Sequence, residues 1–224
     1  MSARDPAGDA AVIYGRRPVA EARLGRRRVR RVWTADDLDA GELTRLAGSP
    51  DHQGVVAEVD PYPYADPSAL LRAPDAVVIA LDQVQDPRNL GAVCRSAEAA
   101  GVAGVVIPSR RAASVTAAAC KAAAGAVEHL AVARVSNLAD WLADAKDADA
   151  WVYGADAGAA ASYSEADLTG RLVVVLGGEG KGLRPRVAAA CDLLVSIPLR
   201  GRVASLNVSA AAAVLAFEAT RQRR

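Results

Sequence analysis

The chain has 224 residues, 52% of them hydrophobic and only 4% aromatic, with a formal net charge of +1. That is apolar material for one full-sized core resting on Ala, Val and Leu, with room for a small second unit, and it excludes an overall polycation. No apolar run is long and uninterrupted enough to span a bilayer.

Three widely spaced cysteines, Cys94, Cys120 and Cys191, offer neither a metal pattern nor a disulfide framework, and the polar opening MSARDPAGDA has no apolar stretch of the kind a signal peptide needs. A reducing cytoplasm is the expectation. Residues 1 to 10 read as a disordered tail. Residues 11 to 59 read as a small basic domain, with a helix around PVAEARL, a strand around VRRVWTA, a helix around DAGELTRLA and a strand in QGVVAEV. Within it, RLGRRRVRR (residues 23 to 31) concentrates six arginines. So dense a run of one sign repels itself without an anionic partner. Residues 60 to 75, DPYPYADPSALLRAPD, read as an extended linker, because proline fixes φ and removes backbone donors.

From residue 76 onward continuous apolar strands alternate with helices. AVVIALD leads to LGAVCRSAEAAG, VAGVVIP to SVTAAACKAAAGA, EHLAVARV to NLADWLADAK, and AWVYGAD stands before RLVVVLG. RPRVAAA, DLLVSIPL and a long alanine-rich helix close the chain. Strands apolar throughout and alternating with helices imply a parallel α/β sheet covered on both faces. Ligands in such sheets sit at the carboxyl ends of the strands, which singles out three loops: DQVQDPRNLG, GGEGKGLRP and PLRGRVASLN.

The glycine-rich turn fails the P-loop test, because Leu183 stands where Lys should follow Gly182. It also fails the dinucleotide fingerprint, because Gly178 and Gly180 lack the third glycine. Its plain role is a tight turn, and its glycines also let backbone approach a ligand closely, with Glu179 adding an acceptor. Asn89 is placed to cap the helix that follows it. Arg95, about two turns into that helix, is either a solvated surface residue or a phosphate ligand. The stretch ASLNVS crowds Ser205, Asn207 and Ser209 into one helix start, more polar side chains than capping needs. No Ser–His–Asp set, HExxH or CxxC is present, so neither triad nor metal chemistry has support. His52 and His129 lie away from these loops.

Taken together, NLGAVCR, LVVVLGGEGKGL and VSIPLRGRVASLNVSAAAAVLAFE resemble the three motifs of SpoU-type (TrmH-like) RNA 2′-O-methyltransferases of the SPOUT class, over residues 76 to 222. VIYGRRPVAEA and DHQGVVAEV further resemble the start and end of the N-terminal RNA-binding domain in the subgroup that methylates a guanosine ribose of large-subunit (23S) ribosomal RNA. The resemblance implies a C-terminal trefoil knot, a homodimer sharing its active site across the interface, and S-adenosylmethionine as cofactor. By motif match it implies cofactor contacts at Gly177, Ile197 and Leu206, with Gly178, Gly180 and Leu199 nearby. It also implies a catalytic constellation of Asn89, Arg95, Glu179, Ser205 and Asn207. Arg16, Arg17, Arg26, Arg27, Arg28, Arg30 and Arg31 are the expected RNA-binding residues. No metal and no membrane partner are implied.

The N-terminal segment is shorter than in that subgroup, either trimmed or with a rebuilt loop. Since RNA choice belongs to that region, rRNA is the first expectation and tRNA the second. A non-catalytic RNA-binding protein of ribosome assembly on the same fold is the alternative from another class.

Overall fold

The computed structural model describes residues 10–223 apart from Glu179 and Lys181. The expected tail over residues 1 to 10 thus lies, except for Ala10, outside the described residues. Strand β1 (Ala11–Tyr14), helix α1 (Arg16–Leu24), β2 (Val29–Thr34), α2 (Ala40–Ala47) and β3 (Val55–Val59) follow in order. The three strands form an antiparallel sheet in the order β1-β3-β2. Helix α2 begins with a reciprocal capping box between Asp39 and Glu42 and ends on Gly48 in the left-handed region.

The N-terminal elements share a core with the rest of the chain. Ile13, Val19, Ala22, Ala57 and Val59 belong to the same buried cluster as the residues below the large sheet. Arg27 helps to close this seam. It is only 5% exposed, its Nε donates to Glu128 Oε2 at 2.9 Å, and its guanidinium stacks over Tyr62. The expectation that Arg27 contacts RNA is therefore corrected: a guanidinium committed to a buried carboxylate is not free to meet a phosphate.

The proline-rich stretch 60–75 runs against the large sheet. Tyr62 Oη donates to the carbonyls of Val127 and Leu130, Ala65 bridges Ala133, and a 3₁₀ turn over Pro67–Leu71 buries Leu70 and Leu71.

The remaining elements are β4 (Val77–Asp82), α3 (Pro87–Ala99), β5 (Gly104–Pro108), α4 (Ala117–Ala122), β6 (Ala131–Val135), α5 (Leu138–Asp147), β7 (Trp151–Ala155), β8 (Ala161–Ser162), β9 (Leu172–Gly177), α6 (Pro185–Ala190), β10 (Leu193–Ser196) and α7 (Val208–Gln222). Among the described residues they build a seven-stranded sheet, order β6-β5-β4-β9-β7-β10-β8, with parallel pairings throughout. This is the doubly covered parallel α/β sheet expected from the strand pattern. Along β4, Val77, Ile79 and Leu81 face the cluster under α3, α4 and α7, while Val78 and Ala80 face the one under α5 and α6. A strand covered on both sides has no face left for polar residues.

Two helix boundaries differ from expectation, the first for a packing reason. The alanine-rich run after Thr116 stops being helical at Ala122, although alanine would prolong it. A Cβ on Gly125 would lie 2.5 Å from the Cβ of Glu21, so α1 approaches where the helix would continue, and the chain turns away with Ala124 at φ 51°. Helix α3 begins earlier than expected, at Pro87.

Candidate active site

The site is built from the carboxyl ends of β9, β7 and β10. After β9 the backbone doubles back on itself: Gly178 and Gly182 form an antiparallel bridge, with the Gly182 N–H donating to the Gly178 carbonyl at 3.1 Å. A Cβ on Gly177 would come within 2.2 Å of the Gly182 carbonyl carbon, and one on Gly178 within 2.7 Å of the Gln83 carbonyl oxygen. Glycine is required there by close approach of backbone to backbone.

The far end of the turn is tied down by a buried carboxylate. Asp82 ends β4 with no exposed surface and accepts from the Arg184 backbone N–H at 2.8 Å and from its Nε at 2.7 Å. Neither Asp82 nor Arg184 was expected from the motifs. The available signal was an acid closing an otherwise apolar strand, a position a carboxylate holds only with a partner.

The polar cluster at the start of α7 divides its labour. Asn207 is the N-cap, its Oδ1 accepting from the Ser209 N–H at 2.8 Å and from Ser209 Oγ at 2.6 Å. With Oδ1 so engaged, Nδ2 points outward and donates to Asn89 Oδ1 at 3.0 Å. Asn89 itself does not cap α3, contrary to its plain expected role. Asp86 does, accepting from the Arg88 N–H at 2.8 Å. Asn89 thus sits in the first turn with its side chain engaged by Asn207 at the start of α7, 118 residues further along the chain.

Between these elements lies a cleft of about 770 Å³, in the usual range for small-molecule sites. Gly177, Gly178 and Gly180 line one wall, Ile197 and Leu199 another, and Ser205, Leu206 and Asn207 the lip below α7. All six expected cofactor residues and two of the expected catalytic residues therefore face one space. Asn89 adjoins it through Asn207. Arg95 is exposed on α3 and is not part of the cleft lining. Glu179 lies outside the described residues. Ala155 and Asp156 at the end of β7 also line the cleft and were not anticipated.

Of the expected RNA-binding arginines, all but Arg27 are exposed. Arg16 Nε donates to the Gln53 carbonyl at 3.3 Å, Arg26 donates to the Leu130 carbonyl at 2.6 Å, Arg30 pairs with Asp60 at 2.6 Å, and Arg31 lies over the Trp33 ring. His52 is a structural residue, its Nδ1 accepting from the Gly54 N–H. Among the described residues no helix is long and apolar enough to cross a membrane.

Residues 76–217 match the SpoU rRNA Methylase family. The chain is 47% identical over 192 residues to an uncharacterized tRNA/rRNA methyltransferase of Mycobacterium avium (strain 104), covering 84% of this chain and 62% of that one. It is 37% identical over 240 residues to an uncharacterized tRNA/rRNA methyltransferase of Synechocystis, again covering 62% of the relative. The chain thus spans about three-fifths of the length of these relatives. Among solved structures, the SpoU methyltransferase AviRb from Streptomyces viridochromogenes, in complex with the cofactor AdoMet, superimposes with a TM-score of 0.79 at 28% identity, covering 95% of this chain and 90% of that one.

Proposed function

The chain belongs to the SpoU rRNA methylase family, and on that premise we propose that it transfers a methyl group from S-adenosylmethionine to a ribose 2′-hydroxyl of RNA. The observation that carries this reading is the glycine-walled cleft, which gathers Gly177, Gly178, Gly180, Ile197, Leu199 and Leu206 at the carboxyl ends of the strands beside the Asn89–Asn207 pair. The residues present fit the cofactor. Gly177, Gly178 and Gly180 turn side-chain-free backbone to the cleft, and its lining is both polar and apolar. Backbone groups of the glycine turn and of Ile197 and Leu206 would hold it. When bound, S-adenosylmethionine supplies a methyl on a sulfonium, already activated for displacement.

What remains for the protein is to align the ribose and help remove its proton. Asn89, steadied by Asn207, is placed to orient the ribose, while Ser205 and Asn207 hold the lip of the cleft. Glu179 is assigned to the same positioning work on the motif match alone. A guanidinium is a permanent cation, so Arg95 suits the neighbouring RNA phosphate better than it suits proton abstraction, the phosphate or an ordered water then accepting the proton. Arg95→Ala should weaken RNA binding and turnover together. Loss of turnover at unchanged RNA affinity would count against phosphate anchoring.

The preferred substrate is a guanosine of large-subunit rRNA, on the resemblance of the N-terminal segment; tRNA stands second because the relatives carry both names. A homodimer is part of the reading, and exposed Phe217 on α7 and Val203 in the loop before it are large apolar side chains left for it to cover. The knotted threading belongs to the same proposal, on the resemblance of the C-terminal motifs alone. The test is labelled methyl transfer onto large-subunit rRNA fragments and onto bulk tRNA. Label in rRNA alone bears the assignment out, and label in tRNA alone transfers it. Cofactor binding with label in neither would favour a non-catalytic RNA-binding role.

A further inference from the structure

Resting on that reading, we infer that Arg110 and Arg111 form a phosphate-binding rail that carries the RNA backbone from the N-terminal domain to the cleft. The strand order β6-β5-β4-β9 sets the loops after these strands side by side along the carboxyl edge of the sheet. Direct contacts join them. Gly178 packs on the Gln83 carbonyl, and the Ala113 N–H donates to the Val84 carbonyl at 2.8 Å. The loop after β5 therefore abuts the segment that leads into α3, with Arg88 and then Asn89 at its start. Its other neighbours are N-terminal: the Val115 N–H donates to Tyr64 Oη at 3.0 Å, α4 packs on β1, and Lys121 lies over the Tyr14 ring.

On this loop Arg110 and Arg111 are consecutive and exposed, and Arg88, in the first turn of α3, is exposed as well. Among the described residues none of the three makes an ion pair. The acid closest in the chain, Asp86, is turned onto the Arg88 N–H as a helix cap. In a chain of net charge +1, exposed positive side chains with no ion-pair partner among the described residues mark a place where the counter-charge comes from outside.

The loop is also held in shape. Both the Ser109 N–H and Oγ donate to the Val135 carbonyl, at 2.8 and 3.1 Å, and Arg111 sits at φ 55°, a left-handed conformation that non-glycine residues seldom adopt. A fixed loop presenting adjacent guanidiniums suits a polyanion of regular spacing, which an RNA backbone is. Bases are not read here, so the rail contributes register and affinity but no sequence choice.

The test uses the full chain and an unmodified stem-loop transcript of large-subunit rRNA, followed by fluorescence anisotropy across a salt series, with S-adenosylmethionine affinity measured in parallel by calorimetry. Arg110→Gln combined with Arg111→Gly removes both charges, and glycine accepts the left-handed φ, so the loop keeps its shape. The expected result is RNA affinity lower by about tenfold, a salt slope shallower by roughly 1.4 to 1.8, as two lost phosphate contacts require, and unchanged cofactor affinity. Arg110→Lys with Arg111→Lys should retain the slope. Arg72→Ala, an exposed arginine at the opposite edge of the sheet, should change neither quantity. An unchanged slope and affinity in the double variant, while the parent chain binds RNA, would overturn the rail and leave the proposed function standing. A parent chain that binds no RNA would overturn both.

Discussion

Asn207 donates its side-chain amide to Asn89 across 3.0 Å while its own carbonyl caps α7. One residue thus ends a loop, starts a helix and fixes a side chain on another helix.

The two duties can be separated by substitution. Asn207→Ala loses both, and the lost cap alone should cost about 1 kcal/mol, or roughly 2–4 °C in Tm. Asn207→Asp keeps the capping acceptor but cannot donate to Asn89. It should melt near the parent temperature and still lose most methyl transfer. Thermal melts set beside turnover check this, and full turnover in Asn207→Asp would deny Asn207 its separate role towards Asn89.

Arg184→Ala strands Asp82, a fully buried carboxylate, without its cation. Leaving a buried charge unpaired costs about 3 kcal/mol, or roughly 6–12 °C in Tm. Because the same pair anchors the glycine turn, calorimetry should also show weaker S-adenosylmethionine binding. Normal cofactor affinity in a folded Arg184→Ala protein would detach the turn from this anchor.

The basic run at 23 to 31 should give opposite results at neighbouring positions. Arg27→Ala removes the partner of buried Glu128 and should destabilise by about 3–5 kcal/mol. Arg28→Ala, on the exposed side, should stay within about 0.5 kcal/mol of the parent while weakening RNA binding at low salt. Denaturant titration and RNA anisotropy on the two variants distinguish the roles.

That contrast shows what sequence can reveal here. A line of text counts arginines but does not tell which face of β2 and its approach turns inward, so Arg27 looked like its neighbours. Strands such as β4 and β9 were legible because burial on both faces demands an unbroken apolar run. β1 was not, since Ala11–Tyr14 is too short to show a period and owes its strand form to pairing with β3. The glycine turn after β9 was legible because Gly177 and Gly178 each answer a local backbone need. Asp82 was not, since its partner Arg184 lies 102 positions away.

The end of α7 gives a pH prediction. Hydrogen bonds from Arg221 and then Gln222 hold the Glu218 carboxyl below its ordinary 4.5, at about 2. A carboxyl depressed on folding stabilises the protein fully above its unfolded pKa, and that stability is lost as pH falls through the folded value. Gln222 in turn binds Leu168 and Ala166 through their backbone, so the carboxylate steadies the docking of α7. Tm should fall less steeply between pH 4.5 and pH 2 in Glu218→Gln than in the parent. Parallel curves would show that Glu218 carries none of the acid sensitivity.

The methyl group transferred in the cleft beside Asn89 and Asn207 is proposed to end on a ribose oxygen. The most direct measurement is to digest enzyme-labelled rRNA transcript with alkali and find where the label resides, with Asn207→Asp run alongside. A methylated 2′-oxygen cannot take part in strand cleavage, so the account predicts label in alkali-resistant dinucleotides, present with the parent chain and nearly absent with the variant. Label in alkali-released mononucleotides would place the methyl on a base and contradict the account, as would undiminished ribose labelling by Asn207→Asp.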